Sequence, residues 1–363
     1  CTSEGARTAV VLDRASAARI EHEMRRWGNH YNQAVHAMNL INFHARHGRV
    51  DRDLVAESVP TIERELADVN AAAREMAAEL GRIGADSLAF TLAGLDVAAI
   101  ESDPVAALYA AANAPKAKVA CANGLATELP DADAIWLDPA RRAEDGRRIA
   151  SPERWIPPFS RALSLARDFP LAGIKVAPGI AYHALPPRAF VEWISERGQL
   201  LEAVVWLGMG TGRTATIDGE QLDSGAKTAD EPAVFVAPRP LGPLLFEPDP
   251  AIVRSGGIAR LCEKHGLAPV SEGIAYLTGE AVPPHCAAFE VLDVVVPEAK
   301  RIKRSLAAHG IGRTEVKKRG TEVDVAAMAK KLSGRGGDAG VVLFSPVLGR
   351  HRAIVARRTA VTF

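Results

Sequence analysis

The run Ile135-Trp136-Leu137-Asp138-Pro139 constrains this chain more than any other stretch. Apolar residues lead without alternation into an Asp-Pro, and proline, which has no N–H to give, ends regular strand pairing. Asp138 is therefore expected at the carboxyl end of a buried strand, the edge where open α/β sheets put their chemistry. Leu95-Asp96-Val97-Ala98-Ala99-Ile100-Glu101 is a second such run ending in an acid, and Gly81-Arg82-Ile83-Gly84 opens a helical pattern ahead of it. A glycine turn, a strand-end acid and a strand-end Asp-Pro give the layout of a nucleoside-cofactor site with an Asp-Pro reaction corner.

Around these residues the pattern alternates. Residues 86–93 predict a helix, 95–100 a strand, 104–113 a helix with Pro104 in its first turn, and 118–121 a strand. A helix over 157–169, a strand over 173–177 and a helix over 189–196 follow. Residues 201–207 and 233–237 read as a closing strand pair around a polar, glycine-rich hairpin loop at 208–230. Gly208-Met209-Gly210-Thr211-Gly212 resembles a phosphate turn, but no Walker lysine-serine pair follows it, so hairpin chemistry is the better reading. Alternating strands and helices imply a parallel sheet with right-handed crossovers. Pro238, Pro240, Pro243, Pro248 and Pro250 form a stiff connector, the expected domain boundary. Beyond it the chain predicts an α+β piece: helices over 251–265, 300–309 and 325–332, and strands over 289–296, 314–318, 340–344 and 353–356.

Five stretches carry a family resemblance: Gly84-Ala85-Asp86-Ser87-Leu88-Ala89-Phe90, Glu101-Ser102-Asp103-Pro104, Leu137-Asp138-Pro139-Ala140-Arg141-Arg142, Lys175-Val176-Ala177-Pro178-Gly179-Ile180 and Glu315-Val316-Lys317-Lys318-Arg319-Gly320. In this order, from about residue 81 to 358, they resemble bacterial class I S-adenosylmethionine-dependent methyltransferases with a C-terminal THUMP-like domain. The resemblance implies a Rossmann-like sheet at 76–237, a linker and THUMP-like domain at 238–363, S-adenosylmethionine as cofactor and RNA as partner. It implies Glu79, Gly81, Gly84, Asp86, Glu101 and Asn123 on the cofactor side. Glu101 would accept both ribose hydroxyls, since a carboxylate's two oxygens match two vicinal donors. Asp138 and Pro139 resemble the Asp-Pro-Pro corner of amino-directed nucleic-acid methyltransferases, where an oxygen accepts a hydrogen bond from the exocyclic amine and aims its lone pair. Ala140-Arg141 stands where that corner has Pro-aromatic, so the stacking platform for a flipped base is missing. Arg141, Arg142, Arg147 and Arg148 could instead hold phosphate or carboxylate, or pair with Glu144 and Asp145. Lys317, Lys318 and Arg319, with Lys300, Arg301, Lys303 and Arg304, could contact RNA phosphates if they share a face.

The front of the chain reads differently. Residues 7–13 predict a short strand, and residues 1–75 as a whole a mainly helical segment, with amphipathic stretches over 29–41 and 50–76. Gly28, Asn29, Asn32, Gln33, Ala37 and Asn39 resemble MobC-type plasmid mobilisation proteins, implying a DNA partner. Ten Lys and Arg against eleven Asp and Glu give this segment little electrostatic drive towards DNA. Related methyltransferases begin their sheet with a strand ending in acid-x-Gly-x-Gly-x-Gly. Here the one candidate, Glu79-Leu80-Gly81-Arg82-Ile83-Gly84, is a residue short, lacks a glycine and follows an alanine-rich helical stretch. The expectation is a sheet without its first strand and weakened cofactor binding. The competing function is a catalytically inactive nucleic-acid-binding protein, a fused or truncated methyltransferase.

Bulk numbers bound the rest. The chain has 363 residues, 48% hydrophobic and 24% charged, with room for two or three domains. Four scattered cysteines without a CxxC pair suggest neither a zinc site nor a disulfide framework, and fit a reducing cytoplasm. No apolar run is long enough to span a membrane, and no signal peptide is visible. The chain opens on Cys1, so an incomplete N-terminus is expected. The net charge of zero hides an asymmetry: residues 297–363 hold 15 Lys and Arg against five Asp and Glu, a surplus of ten. A basic terminal domain suggests a polyanionic partner.

Overall fold

The computed structural model describes residues 8–13, 38, 52–141, 147–334 and 336–359. The chain divides into two compact units, Cys1–Lys175 and Val176–Phe363.

The first unit is built on five parallel strands: β1 (Thr8–Asp13), β2 (Asp96–Glu101), β3 (Lys118–Cys121), β4 (Ala134–Asp138) and β5 (Leu171–Val176). Their order is β3-β2-β1-β4-β5. The strand expected to be missing is therefore present and central. Thr8–Asp13 pairs with β2 on one side and β4 on the other, although most of the N-terminal segment and a long helix separate it from β2 in the chain. Its Ala9-Val10-Val11-Leu12 core is the unbroken apolar run that a strand flanked on both sides by parallel neighbours requires.

Helix α1 (Arg52–Arg82) continues through Pro60 without a break. Helices α2 (Ala85–Leu92), α3 (Pro104–Asn113) and α4 (Phe159–Ala166) are short. Helix α3 starts where the sequence dictates: the Asp103 carboxylate accepts the Val105 and Ala106 N–H groups at 2.9 Å each, with Pro104 at the first helical position. The MobC-like residues Gly28 to Asn39 quoted above lie outside the described residues.

The second unit contains β6 (Phe190–Glu196), β7 (Gln199–Leu207), β8 (Gly212–Ile217) and β9 (Glu220–Asp223), neighbours in the order β7-β6-β8-β9. Three expectations fail here: the stretch 208–230, expected as a hairpin loop, itself holds β8 and β9. Residues 190–196 form a strand instead of a helix, because Val191, Trp193 and Ser195 bury in strict alternation and the run is rich in β-branched and aromatic residues. Residues 233–237 form no strand, since β7 takes its partner from the chain just before it. The turn joining β6 and β7 has Arg197 and Gly198 at positive φ, and that joining β8 and β9 has Asp218 and Gly219 so. These are the left-handed pairs that type I′ hairpins need, and Asp-Gly is their strongest sequence signal.

A seven-stranded sheet completes this unit. It comprises β10 (Leu244–Pro248), the short β11 (Ala268–Pro269) and β12 (Leu277–Thr278), β13 (Cys286–Val295), β14 (Ile311–Lys318), β15 (Asp338–Val347) and β16 (Arg350–Arg358), in the order β11-β12-β10-β13-β16-β15-β14. Helices α5 (Pro250–Ser255) and α6 (Ile258–His265) replace the single expected helix, separated by Gly256 and Gly257. Helices α7 (Ala299–Ala308) and α8 (Val325–Leu332) cover one face of the sheet, with Ile302, Leu306 and Leu332 packed on Val316, Val342, Phe344 and Val355. Val341, Leu343, Ile354 and Ala356 pack on the other face with Tyr276 and Phe289. Strands β15 and β16 are thus buried on both faces, which is why they read as continuous apolar runs. The proline-rich stretch ends in a firm anchor: Asp249 caps α5 and accepts the Ser195 hydroxyl at 2.7 Å in a buried contact.

Candidate active site

Strand register brings three acids to one edge. Asp13 stands opposite Glu101 on β2 and opposite Asp138 on β4, so the carboxyl ends of three adjacent parallel strands each finish in an acid. Asp13 was not among the residues the sequence singled out. Its signal was the same one that exposed Glu101, an apolar run ending in a carboxylate, lying far from the motifs. Glu101 is 2% exposed, and its Oε1 accepts the Asp103 N–H at 2.8 Å and the Ser102 hydroxyl at 3.4 Å. The strand-end acid is therefore fixed by the turn that starts α3.

The glycine turn is built differently from the expectation. Glu79 and Gly81 lie in the final turns of α1, and a Cβ at Gly81 would meet nothing within 4 Å. Gly84 does need to be glycine: its φ is +75°, and a Cβ there would sit 2.9 Å from the Ala110 Cα. The Asn113 amide secures this bend by donating to the Leu80 and Ile83 carbonyls at 2.9 Å each, which satisfies orphan acceptors at the end of α1. Asn123, just after β3, is exposed and accepts the Leu125 N–H in a local turn.

Asp86 and Asp138 converge on one lysine. Lys175 Nζ lies 3.3 Å from Asp86 Oδ2 and 3.4 Å from Asp138 Oδ2, and all three side chains are at most 25% exposed. The Trp136 indole N–H donates to Asp86 Oδ2 at 2.8 Å, and Phe90 meets the Trp136 ring edge-on at 5.4 Å. Burial pushes the Asp138 carboxyl above the usual carboxylate range, the nearby Asp86 charge adds to this, and Lys175 and Arg141 pull it back. Pro139 is buried. Beyond the corner, Ala140 and Ile156 exchange backbone hydrogen bonds at 2.8 and 3.1 Å, and half-buried Arg141 accepts the Ile149 N–H through its carbonyl at 2.8 Å. Arg142 lies outside the described residues.

In the second unit the expected phosphate contacts separate into two groups. Lys317 Nζ is 2.6 Å from Glu247 Oε2, and Arg319 reaches Glu247 Oε1 at 3.5 Å, with its guanidinium 5.1 Å over the Tyr276 ring. Lys318 is exposed, as are Lys300, Arg301, Lys303 and Arg304 on α7 and Lys331 on α8. Ile302, Ser305 and Leu306 supply the buried face of α7, which turns its basic residues outward. Arg301 also pairs with Glu298 at 3.5 Å. Among the described residues no helix is long and apolar enough to cross a membrane.

Comparisons with known proteins bear on the fold and its relatives. Residues 286–358 match the family model described as THUMP domain-like. Two proteins of Mycobacterium tuberculosis, from strains CDC 1551 / Oshkosh and H37Rv, are 34% identical over 209 residues, and both are named uncharacterized S-adenosylmethionine-dependent methyltransferases. The match takes in 56% of this chain and 57% of each relative, so the chain spans little more than half the length of these curated relatives. A crystal structure of a candidate methyltransferase from Porphyromonas gingivalis W83 superposes with a TM-score of 0.56 at 13% identity, covering 73% of this chain and 72% of that one. The fold is thus that of a Rossmann-like methyltransferase sheet with a C-terminal THUMP-like domain.

Proposed function

We propose that this protein is an S-adenosylmethionine-dependent methyltransferase acting on RNA. The observation that carries the reading is the register of Asp13, Glu101 and Asp138 along the carboxyl edge of a β3-β2-β1-β4-β5 parallel sheet. The donor set fits a nucleoside with a charged tail. Glu101 is held by Asp103 and Ser102 as an acceptor for the ribose diol, and Asp13 ends the central strand in register with it. Gly84 keeps the bend into α2 free of side chain, Asp86 orders that helix through Trp136, and Asn123 offers an amide beyond β3. Glu79 and Gly81 are left outside this role by their place in α1. When bound, the cofactor supplies an electrophilic methyl group on sulfur.

The residues of this chain align the acceptor. Asp138 accepts an N–H of the target amine and so directs the nitrogen lone pair, while buried Pro139 fixes the backbone of the corner. Such transfer depends more on alignment than on a strong base. Arg141 and Arg142 follow the corner and suit a phosphate of the incoming strand. The exposed cations of α7 and α8, with Lys318, suit the RNA backbone; Lys317 and Arg319 are committed to Glu247. Few aromatic residues lie nearby, so RNA would be held by charge and shape more than by base stacking.

The test is transfer of labelled methyl from S-adenosylmethionine to bacterial RNA by the full chain. Incorporation that Asp138→Ala abolishes supports the reading, and none with any RNA pool refutes it. One observation favours a second reading, a nucleic-acid-binding protein without catalysis: Glu79 and Gly81 of the candidate glycine turn lie in a helix end. That reading predicts RNA retention with no methyl incorporation.

A further inference from the structure

The charge environment of Asp138 comes from several elements. Lys175 on β5 reaches it at 3.4 Å, Arg141 follows it in the corner, Asp86 approaches from α2, and Asp13 ends the strand beside it in register. Lys175 sits between two carboxylates, but these are not equivalent. Asp86 is also tied to the Trp136 indole N–H, so it cannot swing away without breaking a second bond. The ammonium is thereby anchored on the α2 side and presents its charge to Asp138 from a fixed direction.

An amine N–H needs an acceptor. A protonated Asp138 keeps a carbonyl acceptor but adds an O–H donor, and it accepts more weakly than the carboxylate does. Burial of the corner favours the neutral form, and the ammonium 3.4 Å from Oδ2 opposes it and so preserves the stronger, charged acceptor.

We propose that Lys175 is a positioning residue, pinned by Asp86 and Trp136, that keeps Asp138 a charged acceptor and engages its Oδ2, so that Oδ1 takes the N–H of the methyl-accepting amine. Its mechanistic half rests on the methyltransferase reading, whereas its electrostatic half needs no ligand. Lys175 is far in sequence from Asp86, 89 positions away. The arrangement exists only in the folded sheet.

The experiment is a carbon-13 titration of aspartate carboxyls in the full-length protein, with Asp138 assigned by its loss in Asp138→Asn. Lys175→Met should raise the Asp138 midpoint by about one pH unit or more, as removal of a cation within ion-pair distance does. Lys175→Arg, which keeps the positive charge, should leave a midpoint near that of the wild type. In methyl transfer, Lys175→Met should reduce kcat with little change in the KM for cofactor, and its acid limb should move to higher pH. An Asp138 midpoint unmoved in Lys175→Met overturns the proposal even if the protein methylates RNA. The titration is independent of whether the wild type binds S-adenosylhomocysteine, which tests the function reading instead.

Discussion

Lys175 and Lys317 occupy similar settings and serve opposite ends. Each lies on a strand between two carboxylates: Lys175 at 3.3 and 3.4 Å from Asp86 and Asp138, Lys317 at 2.6 and 3.9 Å from Glu247 and Glu315. In the first unit the lysine, on the proposed mechanism, supports a carboxylate at the edge assigned to the reaction. In the second the carboxylate consumes the lysine, and with it a cation that the sequence assigned to RNA. A motif names charges; packing decides which of them are left to act on a ligand.

The largest effect that could break this contrast lies at the reactive edge. Asp138→Ala should reduce methyl transfer by about 100-fold or more, the scale of removing a positioned hydrogen-bonding group, while Lys317→Ala should leave the rate constant unchanged. A kinetic comparison of the two variants decides it. Next comes RNA affinity. Charge removal at Lys300, Lys303 and Arg304 should weaken binding and flatten its salt dependence, by about 0.7 in the log–log slope for each single-strand phosphate that is no longer neutralised. Lys317→Ala should change neither by as much, and equal effects in a gel-shift salt series would erase the distinction drawn here.

Smaller effects concern the glycines and the buried acid. Gly84→Ala should destabilise the protein by about 1 kcal/mol or more, because a left-handed φ and a 2.9 Å approach to Ala110 both oppose a Cβ. Gly81→Ala should be neutral or stabilising by up to about 1 kcal/mol, the helix-propensity difference. Denaturant unfolding of the pair measures both. For Asp138 the sign follows from its raised pKa: its contribution to stability is fully present below the unfolded pKa and is lost as pH rises through the folded value. Asp138→Asn, which mimics the neutral form, should therefore melt above the wild type near neutral pH, with the gap closing as pH falls. A gap that widens on acidification would contradict the burial argument.

Much of the architecture was legible because it is written locally. Asp103-Pro104 announced a helix start, Ile135 to Pro139 a strand end, and the apolar runs at 340–344 and 353–356 a pair of terminal strands. Other features were legible but passed over. Arg197-Gly198 and Asp218-Gly219 are hairpin turns, and reading them would have placed β6 and β8 as strands. The rest is long-range. Nothing near Thr8–Asp13 says that it inserts between β2 and β4, because strand order is set by which apolar edges remain open once the sheet assembles. The Trp136–Asp86–Lys175 contacts join residues 50 and 89 positions apart, and no local pattern encodes them. Glu79 and Gly81 show the reverse hazard: a motif recognised by spacing belongs here to the end of a helix.

Isothermal titration of the full chain with S-adenosylhomocysteine tests the central claim, that the acid-lined edge of the parallel sheet holds a nucleoside cofactor. The account predicts saturable one-to-one heat that Glu101→Ala removes and Glu79→Ala leaves intact. No heat at millimolar ligand, or binding indifferent to Glu101→Ala, would contradict it.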